Sequence, residues 1–173
     1  MEILPKLNIT RFAQLTAGDL FICTYEAGAC VAMKVEDPID ADPLMLLLGP
    51  AFPPEIDHPR LVGAPSVTVI SYGSDYVLRL PADPSGWTAE EPQHSINCIL
   101  ITGSEAYFRG NGSPTDRAFH ACYVNVATGR LHASGNGPNA RYAKPAGIRA
   151  FANTWSIVTT EAKPRVILAY PYQ

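Results

Sequence analysis

The stretch LFICTYEAGACVAMKVE, Leu20 to Glu36, decides the fold class. Two runs rich in Val, Ile, Phe, Tyr and Cys flank Glu26-Ala27-Gly28, the pattern of a β-hairpin closed by a short glycine-containing loop. A two-residue loop Ala27-Gly28 asks for positive φ at Ala27, which is costly for a residue with a Cβ. A three-residue loop with Gly28 left-handed avoids that cost. It predicts Tyr25 opposite Ala29, Cys23 opposite Val31 and Phe21 opposite Met33. One face then carries Phe21, Cys23, Val31, Met33 and Val35, a contiguous apolar surface. The other carries Leu20, Ile22, Thr24, Cys30, Ala32 and Lys34, which is mixed. An isolated hairpin is marginal in water, so the apolar face must bury against more sheet.

Outward from this hairpin the chain repeats the same grammar. Upstream, Thr10 to Leu15 predicts a short helical turn with Thr10 as N-cap and Gly18 ending it. Downstream, Glu36 to Pro43 is an acidic turn, and the continuously apolar Leu44 to Leu48 reads as a buried strand. The stretch 49–65 holds five prolines and is too long for a simple connection, which suggests a binding loop, a lid or a subunit-contact arm. Ser66 to Ser71 and Tyr76 to Leu80 predict a second hairpin. Ile96 to Thr102 and Ala106 to Arg109 predict a third, and Ala121 to Val126 with Arg130 to Ala133 a fourth, around Ala127-Thr128-Gly129. Ser156 to Thr160 and Arg165 to Tyr170 predict the last. Residues 148–155 fit the spacing of a helix face and of a strand; the β-branched continuation SIVTT favours strand, with Phe151, Trp155 and Ile157 on one face. The 16 prolines are nearly twice the usual share of about 5% and break helices and central strands. The expectation is a single mainly-β domain over 1–173: an antiparallel β-sandwich or partly open β-barrel of about ten short strands, with long Pro-rich loops and little helix. At 173 residues it needs no disulfide or metal staple.

Met1 to Thr10 lacks the apolar core of a signal peptide, and the run Leu44 to Leu48 is far shorter than the about 20 residues that span a bilayer. A cytoplasmic protein without membrane contact is expected. Cys23, Cys30, Cys98 and Cys122 show no CxxC spacing, so reduced, mostly buried thiols are expected. The hairpin register above sets Cys23 and Cys30 on opposite faces.

Charge is the one functional clue. Through Glu105 there are 5 Lys+Arg against 14 Asp+Glu, a balance of −9; from Ala106 onward there are 8 against 2, a balance of +6. Such asymmetry points to an anionic ligand or to complementary surfaces. Several late basic residues sit beside aromatics: Phe108-Arg109, Arg117-Ala118-Phe119, Arg141-Tyr142 and Arg149-Ala150-Phe151. Residues i and i+2 of a strand share a face, so Arg117 with Phe119 and Arg149 with Phe151 form stacking-plus-charge units. The candidate ligand-binding residues are therefore Arg109, Arg117, Phe119, Arg141 and Arg149. The bland alternative has the Phe in the core and the Arg at its edge, the two charged halves attracting one another within one fold or across an oligomer.

Other chemistries find less. With Val126 opposite Arg130, His132 faces Val124 and His120 lies roughly 13 Å away, too far to share a zinc ion. The turn with Asp37, Asp40 and Asp42 lacks the glycine and terminal Glu of a calcium loop. No metal or cofactor is expected. There is no GxSxG motif, and the glycines at 110, 112, 135 and 137 do not open a helix after a strand. For catalysis the candidates are Asp116 and His120 as an acid/base pair, with Arg109, Arg117 or Arg141 holding an anion. Phe52 and Trp87, large apolar groups in Pro-rich loops, are candidate partner contacts.

Together these features predict a non-enzymatic β-rich binding or scaffolding domain, self-associating into a homo-oligomer, whose basic C-terminal half takes an anionic small molecule. The alternatives are a small hydrolase or isomerase with a His/Asp/Arg site at a sheet end, and single-stranded nucleic-acid or nucleotide binding. The acidic pI of 5.8 argues against the last.

Overall fold

A computed structural model describes residues 8–25, 28–50, 59–64, 67–90, 98–112, 120–135 and 139–170. They form β1 (Asn8–Arg11), β2 (Leu20–Tyr25), β3 (Gly28–Val35), β4 (Leu44–Pro50), β5 (Arg60–Gly63), β6 (Thr68–Gly73), β7 (Tyr76–Arg79), β8 (Trp87–Thr88), β9 (Ile99–Ile101), β10 (Ala106–Asn111), β11 (Ala121–Asn125), β12 (Ala150–Ala152), β13 (Trp155–Thr159) and β14 (Val166–Tyr170). Among the described residues helix is confined to single 3-10 turns. Eleven strands make one sheet in the order β1-β6-β2-β3-β4-β5-β10-β9-β12-β8, with β11 added to β10; β14-β13-β7 make a second sheet. The mainly-β prediction holds, and the large sheet does not close into a barrel. The strands pair antiparallel except where β10 meets β5 at Asn111 and Arg60, and an isolated Glu36–Arg130 bridge is also parallel.

Packing explains the layers. Leu20, Met33, Leu46 and Leu61 from the early strands share one buried cluster with Ile99, Phe108 and Val124 from the late ones and with Trp155, Ile157 and Leu168 of the small sheet. The large sheet therefore folds its inner face over itself and over the small sheet. Its outer face is buried in two further places. Under the 3-10 turn Phe12–Gln14 lie Phe21, Cys23, Cys30, Ala32, Met45 and Leu47; at the other end lie Cys98, Leu100, Tyr107, Tyr123 and Phe151.

The central hairpin forms, but one residue out of the predicted register. Tyr25 pairs with Gly28, Cys23 with Cys30, Phe21 with Ala32 and Leu20 with Met33. Phe21 and Met33 are thus not cross-strand neighbours, and two residues rather than three separate the paired ends. Cys23 and Cys30 face one another on the same side instead of lying on opposite faces. The physical reason is that both faces of this hairpin are buried, so alternation alone cannot select the register. The observed pairing sets Phe21 over small Ala32 and against Phe12, ring centroids 5.4 Å apart and edge to face. It leaves Val31, Met33 and Val35 to the inner core.

Other local expectations shift in the same way. Thr10 lies in β1, and the 3-10 turn begins after it, from an N-cap at Arg11. The stretch after β4 contains β5, so its described part is not structureless. β6 and β7 follow one another but do not pair: β6 joins β1 and β2, whereas β7 joins β13 in the other sheet. Residues 150–152 and 155–159 are strands, as SIVTT suggests. Phe151 nevertheless faces the outer cluster and Trp155 the inner one, because the chain changes sheets between them. No helix among the described residues is long and apolar enough to cross a membrane.

The two halves meet closely at one tight turn-to-turn contact, besides the strand pairings and the shared core. Gly18 (φ +89°) and Gly129 (φ +65°) lie against each other so closely that a β-carbon on Gly129 would fall 2.0 Å from the Gly18 nitrogen. The Glu36 N–H donates to the Gly129 carbonyl at 3.0 Å, and the Leu131 N–H to the Glu36 carbonyl at 2.9 Å. The Tyr76 hydroxyl reaches the Gly18 carbonyl at 2.8 Å and the Val126 carbonyl at 3.2 Å.

Candidate functional site

β10, β11, β12 and the segments flanking them carry alternating sequences: Glu105, Tyr107 and Arg109; Tyr123 and Asn125; Arg130 and His132; Arg149 and Phe151. Register fixes where these alternations point. Tyr107 pairs with Asn125 and Arg109 with Tyr123, while Phe151 pairs with Leu100. Val124 bridges Leu131, so Asn125 stands beside Arg130 and Tyr123 beside His132, one residue away from the pairing predicted for that hairpin. Since side chains alternate across the pleat, these residues share the outer face of the sheet. The face has two cross-strand rows, Tyr107–Asn125–Arg130 and Arg109–Tyr123–His132.

Polar contacts knit the face together. The Tyr107 hydroxyl donates to Glu105 Oε2 at 2.8 Å, and Asn125 Nδ2 donates to Glu105 Oε1 at 3.0 Å. Asn125 Oδ1 in turn accepts the Ala127 and Thr128 N–H groups, both at 3.0 Å, which fixes the turn that delivers Arg130. Burial, and then the bond to Glu105, raise the Tyr107 hydroxyl pKa, while Asn125 pulls it back down. The His132 ring meets Tyr107 edge to face at 5.9 Å. Lys144 Nζ sits 5.7 Å from the Phe151 ring centroid, and the Arg149 guanidinium lies over Gly103, within 3.7 Å of where a β-carbon would be. At the turn end a cleft of about 380 Å³ is lined by Glu105, Tyr107, Asn125, Thr128, Arg130 and His132 among others.

Of the predicted ligand residues, Arg109 and Arg149 lie on this face but at opposite ends of β9, Arg109 buried at the Cys98 end and Arg149 exposed at the Ile101 end. Arg141 does not join them. It bonds to Asp37, Nη2 to Oδ2 3.1 Å, with Asp40 at 3.9 Å, on the wall of a separate hollow of about 360 Å³. The Asp37 side chain has no solvent exposure, and its other oxygen accepts the Ile39 N–H at 2.9 Å. Here the late basic half is tied to the early acidic half within one chain. Arg117, Phe119, Asp116 and Phe52 lie outside the described residues. His120 is exposed and stacks on Tyr142 at 5.1 Å, remote from the His132–Tyr107 contact along the sheet. Trp87 is half-buried against the inner core, its indole N–H donating to the Pro81 carbonyl at 2.8 Å.

Sequence reasoning missed Glu105, Tyr107, Asn125, Arg130 and Lys144 as site residues. The signal was present in the period-two placement of polar and aromatic residues in EAYFR, YVN and RLH. The arrangement positions charge. Both Glu105 oxygens already accept hydrogen bonds. Burial pushes the Cys122 thiol up to about 12, and burial with the facing Cys30 pushes the Cys23 thiol up to about 12, away from reactive thiolate. No protein-family model, curated protein or solved structure matches this chain.

Proposed function

We propose that the protein is a non-enzymatic β-rich binding domain that takes a small anionic ligand on the outer face of β9 to β12. The observation that carries this reading is that Arg130, Arg149 and Lys144 stand exposed along one sheet face whose buried floor holds Tyr107, Tyr123 and Phe151, with Arg109 buried toward its far end. Two carboxylates, Glu36 and Glu105, oppose these cations. Arg130 is 60% exposed and stands 3.9 Å from Glu36, itself 58% exposed, so that pair is screened and leaves Arg130 able to take another anion. Exposed cationic side chains on one pleated face suit a phosphorylated or carboxylated small molecule.

A melting-temperature series with inorganic phosphate at low ionic strength tests this. At tenfold excess over Kd the ligand stabilises the fold by about 1.4 kcal/mol, an upward shift of roughly 3–6 °C, and added sodium chloride reduces it. The double variant Arg130→Gln/Arg149→Gln removes most of the shift. An equal shift in that variant contradicts the proposal, as does no shift in the wild type.

Self-association belongs to the same proposal. Ile9 pairs with Ile70, Ile70 with Ile22 and Ile22 with Val31, a cross-strand row that runs out of the inner core. Exposure rises along it from 7% at Val31 to 39% at Ile70 and 79% at Ile9. The outer end of this row offers a second copy an apolar strip beside the short edge strand β1. Light scattering across a concentration series is expected to give a mass above that of one chain, and Ile9→Lys/Ile70→Lys to restore the monomer. A wild-type monomer at all concentrations ends the assembly claim.

A further inference from the structure

The cleft at the turn end of the basic face carries both signs of charge, and this narrows the ligand. Glu105 and Arg130 both line it, yet Arg130 pairs with Glu36 and Glu105 bonds to Tyr107 and Asn125. Asn125 stands between them: its amide donates to Glu105, and its backbone N–H donates to the Arg130 carbonyl at 2.9 Å. The two charged groups are therefore held on the order of one to two strand spacings apart, roughly 5–10 Å, across a cavity rather than against each other. Each Glu105 oxygen accepts one hydrogen bond in the network, and a carboxylate oxygen has room for a second. A ligand with only an anionic group would meet Arg130 and His132 favourably and Glu105 unfavourably. A ligand with only a cation would do the reverse.

Resting on the anionic-ligand reading above, we infer that this cleft binds a small zwitterion, its carboxylate or phosphate on Arg130 and His132 and its ammonium on Glu105. Tyr107 and Asn125 act as positioning residues that keep both Glu105 oxygens turned into the cleft. The volume of about 380 Å³ accommodates a molecule the size of an amino acid with a short chain between its charges.

Isothermal titration of the full chain with 4-aminobutyrate, 5-aminopentanoate and 6-aminohexanoate tests the inference, with butyrate, pentanoate, hexanoate and the matching n-alkylamines alongside. At least one amino acid of the series is expected to bind about tenfold more tightly than its carboxylate analogue, the scale of one charge-assisted hydrogen bond. Glu105→Gln, which keeps an acceptor for Tyr107, is expected to erase that advantage, weakening the amino acids while the carboxylates bind no less tightly; Arg130→Gln is expected to weaken amino acid and carboxylate alike. If carboxylates bind as tightly as the amino acids, the zwitterion inference is overturned while anion binding stands. If neither series binds and phosphate also fails, both readings fall. Amines binding as tightly as the amino acids would equally overturn the assignment of Arg130.

Discussion

Gly129→Ala is expected to destabilise the fold by more than about 3 kcal/mol, a fall in melting temperature of roughly 6–12 °C. Two effects add. Gly129 has φ +65°, a left-handed conformation that is costly for a residue with a Cβ. The new β-carbon would also lie 2.0 Å from the Gly18 nitrogen and 2.6 Å from its Cα, so backbone rather than a flexible side chain must move. That movement pulls on the Glu36–Gly129 hydrogen bond and on the Tyr76 bridge between Gly18 and Val126, contacts that tie the early and late segments together beside the β5–β10 pairing. Gly135→Ala is the control. Its φ of +84° brings comparable strain, but nothing lies within 4 Å of the added carbon, so about 1 kcal/mol is expected. Equal losses in the two variants, measured by chemical unfolding, would mean that the Gly18–Gly129 contact contributes nothing.

Arg141→Met is expected to cost about 3 kcal/mol, because it leaves the Asp37 carboxylate buried without its cation. Adding Asp37→Asn should recover most of this. Asparagine retains an acceptor for the Ile39 N–H and carries no charge to strand. The recovery, read from a double-mutant cycle, separates a desolvated pair from a solvent-screened one. A single-variant loss below about 0.5 kcal/mol is the outcome for an exposed bridge and would contradict this account of Asp37. The pair matters for function because it withdraws Arg141 from the ligand face and spends part of the late positive charge on the early acids.

These residues also show what was legible in the sequence. Strand content, the central hairpin, the β9–β10 and β13–β14 pairs and the buried Leu44–Leu48 follow from β-branched runs bounded by glycine and proline. Register does not follow where both faces are apolar. Phe21 and Met33 looked like partners because the sequence showed one good apolar face, and the 3-10 turn that covers the other, through Phe12, is a tertiary fact. The β6–β7 hairpin failed for a similar reason. Tyr72-Gly73-Ser74-Asp75 turns the chain, but Val77 and Leu78 find their partners on β13, a choice that local turn chemistry does not encode. At the site, the charge split pointed to the half of the chain whose strands carry Arg109 and Arg149 on one face, though at opposite ends of it. Which arginines meet depends on pairing between strands distant in sequence. Arg141 sits beside an aromatic exactly as Arg149 does two residues from one, yet only the fold reveals that Asp37 claims it.

The account stands on the outer face of β9 to β12 being the ligand surface. The most direct measurement is a ¹H–¹⁵N correlation spectrum of the labelled chain during titration with inorganic phosphate at low salt. Saturable shifts are predicted for amides within 105–109, 123–132 and 144–151, with the Asp37–Arg141 hollow and the strands β1, β2 and β6 unmoved. Shifts centred instead on 34–43, or uniform shifts that never saturate, would contradict it.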